Sequence, residues 1–268
     1  MNTFYKLFAL IIVISALFSS CSSVYQYYQI GEIKGVDDKI KIDKDGKLVY
    51  FDENVFVEYS FWGNYGNVRF VVKNISDKDI ILHLDKSYFV RNGIAYDYFQ
   101  NRTYTKSGSI WDVNLVSSSE SNLIIYKEVP QIIIPVNTSK IINQFNVTDF
   151  MYRSCDLYLW ESLLSECQAK HKSFRSKSGD IWNKLIFNTK NTPLSFENRL
   201  VYSFDSENKI EILNKFYVES IRNVSENEFE YYIWDEKCGE NESVLFNEQY
   251  APNRYYINYN KDSFDSKY

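Results

Sequence analysis

Apolar and polar residues alternate with a period of two along much of this chain, and that period suits a half-buried strand rather than a helix. Val55, Val57, Tyr59 and Phe61 share one face, and Val68, Phe70 and Val72 alternate with Arg69 and Lys73. Ile80, Leu82 and Leu84 repeat the pattern, and further strands are expected at 122–128, 131–134 and 139–147. Two turn signals punctuate the alternation. Asn92-Gly93 separates Tyr88-Phe89-Val90-Arg91 from Ile94-Ala95-Tyr96-Asp97-Tyr98. Both turn residues accept positive φ at low cost, which predicts a type I′ hairpin. Asp43-Lys44-Asp45-Gly46 separates Lys39–Ile42 from Lys47–Phe51 and reads as a second hairpin turn. It also resembles half of a calcium loop, but without the distal Glu and flanking helices of an EF-hand, so the turn is preferred. Val72–Ile80 reads as strand, polar turn, strand.

The alternation lapses over 149–194. Leu157, Leu159, Trp160, Leu163, Leu164 and Cys167 fall near helical spacing, which predicts a short helix at about 156–169. Lys170, His171, Lys172, Arg175 and Lys177 follow as a solvated loop. From 195 the strand pattern returns, in Phe196, Asn198, Leu200, Tyr202 and Phe204, then over 209–221 as a long strand or a pair, and over 229–234 and 255–259. The expected fold is mostly β: an immunoglobulin-like antiparallel β-sandwich with a short helical excursion and additional C-terminal strands. The expected organisation is a leader at 1–20, a tether at 21–36, the sandwich at 37–148, the excursion at 149–194 and a C-terminal β-rich region at 195–268 that either completes the sandwich or forms a companion domain.

The N-terminus reads as an address. Lys6 is the only charged residue among the first 20, and an apolar run from Leu7 to Phe18 follows. That run is short for a membrane span and suits a signal-peptide core. Leu17-Phe18-Ser19-Ser20-Cys21 resembles a bacterial lipobox, departing from the usual pattern in having Phe18 three residues before the cysteine. The resemblance implies cleavage before Cys21 and diacylglyceryl attachment to its sulfur, so a membrane is the first expected partner. Charge argues against nucleic acid as another: 30 Lys and Arg stand against 35 Asp and Glu, a formal net charge of -5.

Residues with chemistry are few. Beyond Cys21, the cysteines are Cys155, Cys167 and Cys238, whose spacing is no zinc pattern. In an exported chain, Cys155–Cys238 is the preferred disulfide and Cys155–Cys167 the second choice. With two histidines in the chain, the sequence calls for no metal and no cofactor. His83, Asp85 and Ser87 are the residue types of a catalytic triad, but Asp85 sits between the other two. The serine would lie roughly 13 Å from the histidine along a strand, so the polar face of a strand is the simpler account. The pairs Asp37-Asp38, Glu226/Glu228 and Asp235-Glu236 read as acidic turns rather than the opposed carboxylates of a glycosidase. Aromatic residues are the most suggestive feature, with 23 Tyr, 19 Phe and 5 Trp. Trp62 near Tyr65, Trp111, and Tyr255-Tyr256 are the candidate ligand-contact patches. Strand propensity, core filling and an AT-rich coding bias are competing reasons for the same abundance.

Together the lipobox, Asn74-Ile75-Ser76-Asp77-Lys78, Ser87-Tyr88-Phe89-Val90-Arg91-Asn92-Gly93, Phe196-Glu197-Asn198-Arg199, Phe216-Tyr217-Val218 and Tyr255-Tyr256-Ile257 resemble lipoproteins of Bacteroidota that carry no established activity. The resemblance implies an outer-membrane, lipid-anchored protein. The uncharged Ser22-Ser23-Val24-Tyr25 after the cysteine favours a periplasm-facing position over the cell surface. The expected function is non-enzymatic, a binding or structural role toward an envelope protein or a glycan. A surface carbohydrate-binding lipoprotein is the main alternative, followed by a pilin-like subunit and a hydrolase with an unrecognised site.

Overall fold

A computed structural model describes residues 26–108, 122–154, 157, 184–205, 208–237, 240–247 and 249–260. They form β1 (Gln26–Gly35), β2 (Ile40–Ile42), β3 (Leu48–Phe51), β4 (Val55–Ser60), β5 (Asn67–Asn74) and β6 (Ile80–His83). After a 3₁₀ turn at Leu84–Lys86 come β7 (Tyr88–Arg91), β8 (Ile94–Asp97), β9 (Thr103–Gly108), β10 (Asn122–Lys127), β11 (Gln131–Ile134) and β12 (Ser139–Asn146). The remainder is β13 (Leu185–Ile186), β14 (Ser195–Ser203), β15 (Lys209–Ser225), the single helical turn α1 (Glu226–Phe229), β16 (Glu230–Lys237), β17 (Glu240–Asn247) and β18 (Arg254–Asn260).

Two antiparallel sheets hold most of these strands. The larger runs β11-β6-β14-β15-β1-β18, with β7 on β14 carrying β8, and β13 on β15. The smaller runs β12-β5-β4-β3-β2, while β9 with β10 and β16 with β17 form separate pairs. The sheets face each other as a sandwich because alternation leaves each with one apolar face. Val55, Val57, Tyr59, Phe70 and Val72 of the smaller sheet and Leu200, Ile212, Phe216 and Ile257 of the larger are all buried in one cluster. Tyr59 meets Phe216 edge-on at 4.8 Å, and Phe61 meets Phe196 at 5.4 Å.

Hydrogen bonds inside this apolar layer fix how the sheets sit. Tyr98 Oη donates to Asn198 Oδ1 (2.8 Å), and Asn198 Nδ2 donates to Tyr59 Oη (2.9 Å). Asn214 Nδ2 donates to the same Tyr59 oxygen at 2.7 Å. All four side chains are fully buried, where a polar group without a partner is costly.

The turns follow the sequence closely. Asn92 and Gly93 both have positive φ, 47° and 82°, and join β7 to β8 as the expected type I′ hairpin. Asp43 Oδ1 accepts the backbone N–H groups of Asp45 and Lys47, each at 2.9 Å, and so closes the turn between β2 and β3. The polar turn after β5 is a crossover from the smaller sheet to the larger. Its lock is buried Asn74, whose Nδ2 donates to the carbonyls of Lys78 (2.7 Å) and Ile134 (2.9 Å). Its Oδ1 accepts the Ser76 N–H at 3.0 Å.

Two expectations need revision. Residues 26–35, assigned to a tether, are β1, which lies between β15 and β18 within the larger sheet. Of the two alternatives for the stretch after 209, the single long strand is the one found, β15. The stretch 37–148 supplies all of the smaller sheet but only β6, β7, β8 and β11 of the larger, the rest of which comes from β1 and the strands after residue 184. The helix expected at 156–169 lies outside the described residues except for Leu157, which is buried in the main cluster.

Candidate functional site

Neighbouring strands place directly opposed residues on the same face. On β1, Tyr28 opposes Val224 of β15 and Asn258 of β18, and Ile30 opposes Arg222 and Tyr256. The alternate residue Gly31 opposes Ile221 and Tyr255. The first set faces away from the smaller sheet and the second faces it. Tyr28, Ile30 and Val224 therefore form a second, smaller cluster with Phe229 of α1, against which Trp62 and Tyr256 pack.

The rings in this cluster are ordered. Phe229 lies parallel on Tyr28, with centroids 3.7 Å apart and planes 4° from parallel. Trp62 stacks on the same Phe229 at 5.9 Å and 12°. Trp62 also packs against Tyr256 at 5.1 Å and meets Tyr250 edge-on at 5.3 Å and 72°. Tyr250 is the open rim of the cluster, 56% exposed.

Hydrogen bonds fasten the segments that carry these rings. Phe61 N–H donates to the Pro252 carbonyl (2.7 Å), sinking the Phe61 ring into the main core and turning Trp62 the other way. Tyr65 N–H donates to the Tyr256 carbonyl (2.7 Å), and Tyr256 N–H donates to the Gly63 carbonyl (3.1 Å). The loop carrying Trp62 is thus fastened along the outer edge of β18. Gln249 Nε2 donates to the Glu228 carbonyl (2.9 Å), and Arg222 donates to Gln249 Oε1, so the segment bearing Tyr250 is tied to α1 and β15. Burial, with Glu230 and Glu226 beside it, pushes the Tyr28 phenol well up, and its hydroxyl donates to Glu230 Oε1 at 3.4 Å. Burial and Glu230 push Tyr256 up as well. These two phenols stay protonated at neutral pH, so Tyr28 and Tyr256 offer flat apolar rings with neutral hydroxyls.

Of the residues singled out in the sequence, the structure joins Trp62 to Tyr256 and separates Tyr255 from both. Tyr255 is a core residue, 2% exposed, and burial pushes its phenol far up. Its ring lies over Gly31, where a Cβ would overlap it, and its own Cβ abuts Gly66, which has φ +72°. Adjacent tyrosines on one strand cannot form one patch, because successive side chains take opposite faces. Phe229, Tyr28 and Tyr250 were not singled out as contact residues. Tyr28 and Ile30 share a parity that was legible once 26–35 is read as a strand, but nothing local announces that Phe229 will fold back onto Tyr28. Cys21, Trp111, Cys155 and Cys238 lie outside the described residues.

The His83, Asp85, Ser87 group serves the fold. Ser87 Oγ donates to the His83 carbonyl (2.6 Å) and accepts the Val201 N–H (3.0 Å), which joins the 3₁₀ turn to β14. His83 Nε2 lies 2.8 Å from Ser203 Oγ instead, and both side chains are sealed from solvent. Burial pushes His83 down and outweighs the upward pull of Asp85. Asp37 Oδ1 accepts the Lys39 N–H at 3.1 Å, and Glu226 and Glu228 are exposed on α1.

Two adjoining grooves, about 370 and about 460 Å³, share Val36, Thr189 and Tyr217. The charges in the first are matched internally, with Glu197 against Arg199 at 2.8 Å and Lys215 at 3.5 Å. Among the described residues, no group of three His, Cys, Asp or Glu side chains gathers to hold a metal. Comparison of the chain with protein-family models, with curated proteins and with solved structures found no match.

Proposed function

We propose that this chain is a lipid-anchored cell-envelope protein that works by binding, with Trp62, Tyr250 and Tyr256 as its contact surface. The observation that carries the binding role is the cluster itself: stacked rings on segments that hydrogen bonds fasten to the larger sheet, open at one rim. Preordered aromatics of this kind give contact area at little entropic cost. The anchor rests on Leu17–Cys21. An outer-membrane position facing the periplasm, and an immunoglobulin-like kinship of the sandwich, belong to the same proposal; the Asn74 crossover turn supports the kinship.

The anchor is tested by intact mass of the purified membrane form and by Cys21→Ser. The reading expects a diacylglyceryl-modified N-terminus that begins at Cys21. It also expects Cys21→Ser to leave the membrane fraction for the soluble one. An unmodified cysteine, or a variant that stays in the membrane, overturns it. Protease shaving of intact cells against lysed cells tests the leaflet: protection until lysis is expected.

A second reading, binding of a surface or wall polysaccharide, is favoured by one feature, the edge-on Trp62–Tyr250 pair at an exposed rim. Retention of the protein on insoluble envelope polysaccharide, lost in Trp62→Ala, is its test.

A further inference from the structure

The aromatic cluster lies close to where the anchor enters. Gln26, the first described residue, is five positions after Cys21. At about 3.3–3.6 Å per residue, even a fully extended connection spans roughly 17 Å. Tyr28 is only two residues further along the same strand and stacks on Phe229, which in turn stacks on Trp62. A lipid on Cys21 therefore holds the bilayer surface within reach of this cluster.

Resting on the anchored reading, we infer that the Trp62–Tyr250–Tyr256 rim is a membrane-docking surface that seats against the headgroup boundary of the bilayer holding the lipid. The chemistry suits that boundary. Tyrosine and tryptophan place an apolar ring body against acyl chains and a hydroxyl or indole N–H among headgroups. A single acyl group anchors only marginally, and a second membrane contact is what makes anchoring durable. A diacyl anchor needs less help, so here the second contact fixes orientation: it lays one face of the larger sheet toward the lipid. The exposed Glu226 on α1 favours zwitterionic over anionic headgroups at this face. The ribbon β16–β17 leaves the body from α1, directly beside the cluster, with Tyr231 opposite Phe246 and Ile233 opposite Val244 in register.

The test uses the lipidated mature protein in vesicles of phosphatidylcholine and phosphatidylethanolamine, with and without brominated acyl chains. The contribution of Trp62 is the difference in emission between the wild type and Trp62→Phe, which keeps a stacking ring. The inference expects brominated lipid to remove most of that difference. It also expects Tyr250→Trp, at an exposed position that the fold does not depend on, to add emission that brominated lipid removes. If both emissions survive brominated lipid while the intact mass carries diacylglyceryl, the docking surface is overturned and the anchor stands. If that result is joined by polysaccharide retention that Trp62→Phe abolishes, the surface belongs to a glycan. If the mass carries no lipid, the anchored reading falls and this one falls with it.

Discussion

Tyr255 and Tyr256 are neighbours in sequence and belong to different regions of the molecule. Tyr255 points into the layer between the sheets, over Gly31 and against Gly66, in a slot shaped for it. Tyr256 points outward and joins Trp62 and Phe229 in a cluster whose rim, Tyr250, is 56% exposed. Both regions are built from stacked and edge-on aromatic rings. They differ in closure. The inner region is enclosed by two sheets and threaded by the Tyr98–Asn198–Tyr59–Asn214 hydrogen bonds. Among the described residues, the outer one has a single turn of helix and two fastened loops over it. Abundant aromatic residues are thus not one signal but two, and strand parity sorts them.

The contrast breaks first at the closed side. Tyr255→Ala empties a fully buried slot and is expected to cost about 3–5 kcal/mol, read as a lowered denaturant midpoint at unchanged slope. A loss below about 1 kcal/mol, the scale of a surface change, would mean that Tyr255 is not the core residue described. Asn198→Ala removes the acceptor for Tyr98 and a donor to Tyr59, with an expected loss of roughly 1–3 kcal/mol, since buried hydroxyls lose partners. Asn198→Asp keeps the acceptor but buries a charge. Chemical unfolding should show it to be at least as unstable as the alanine variant at neutral pH and to recover as the pH falls.

A third prediction concerns the rim of the sandwich, where ionisation rather than burial sets the response. Burial pushes Glu128 up, but the Arg102 guanidinium and the backbone N–H groups of Arg102 and Gln100 outweigh it and hold the carboxyl at about 2. A carboxyl lowered on folding stabilises the folded state above its ordinary value near 4.5, and that contribution drains away as pH falls toward 2. Glu128→Gln should flatten the pH dependence of the midpoint in that window. A curve that keeps the wild-type shape would remove Glu128 from the account. The smallest effect is expected at the open side. Tyr250→Ser should change stability by no more than about 0.5 kcal/mol, as exposed positions do. A large loss there would show that the outer cluster is a second closed core rather than a contact surface.

Much of the sandwich was legible because its causes are local. The alternation of Val55–Tyr59 and Val68–Val72 specifies strands, and Asn92-Gly93 specifies a tight turn by the φ angles it tolerates. The Asn74–Lys78 turn was visible too, though not that its asparagine would reach across to Ile134. Less legible was the role of 26–35. Its polar and glycine-containing sequence, Gln-Tyr-Tyr-Gln-Ile-Gly-Glu-Ile-Lys-Gly, reads as a tether in isolation. It becomes an interior strand because β15 and β18 arrive on either side of it from the far end of the chain. Gln29 can be buried there because Tyr152 satisfies both ends of its amide, at 2.8 and 2.9 Å.

The same division holds for the candidate site. Sequence alone determined the strand-rich class, the hairpins, the acidic balance and the supply of aromatic side chains, because propensity, turn chemistry and charge are properties of short stretches. The tertiary structure decided which aromatics meet. Trp62, Phe229 and Tyr256 are far apart in the chain, and they converge because long-range strand pairing set Tyr28, Ile30 and Tyr256 on one face and closed the other face over Tyr255. Pairing of that kind depends on the whole sheet, and no window of sequence contains it.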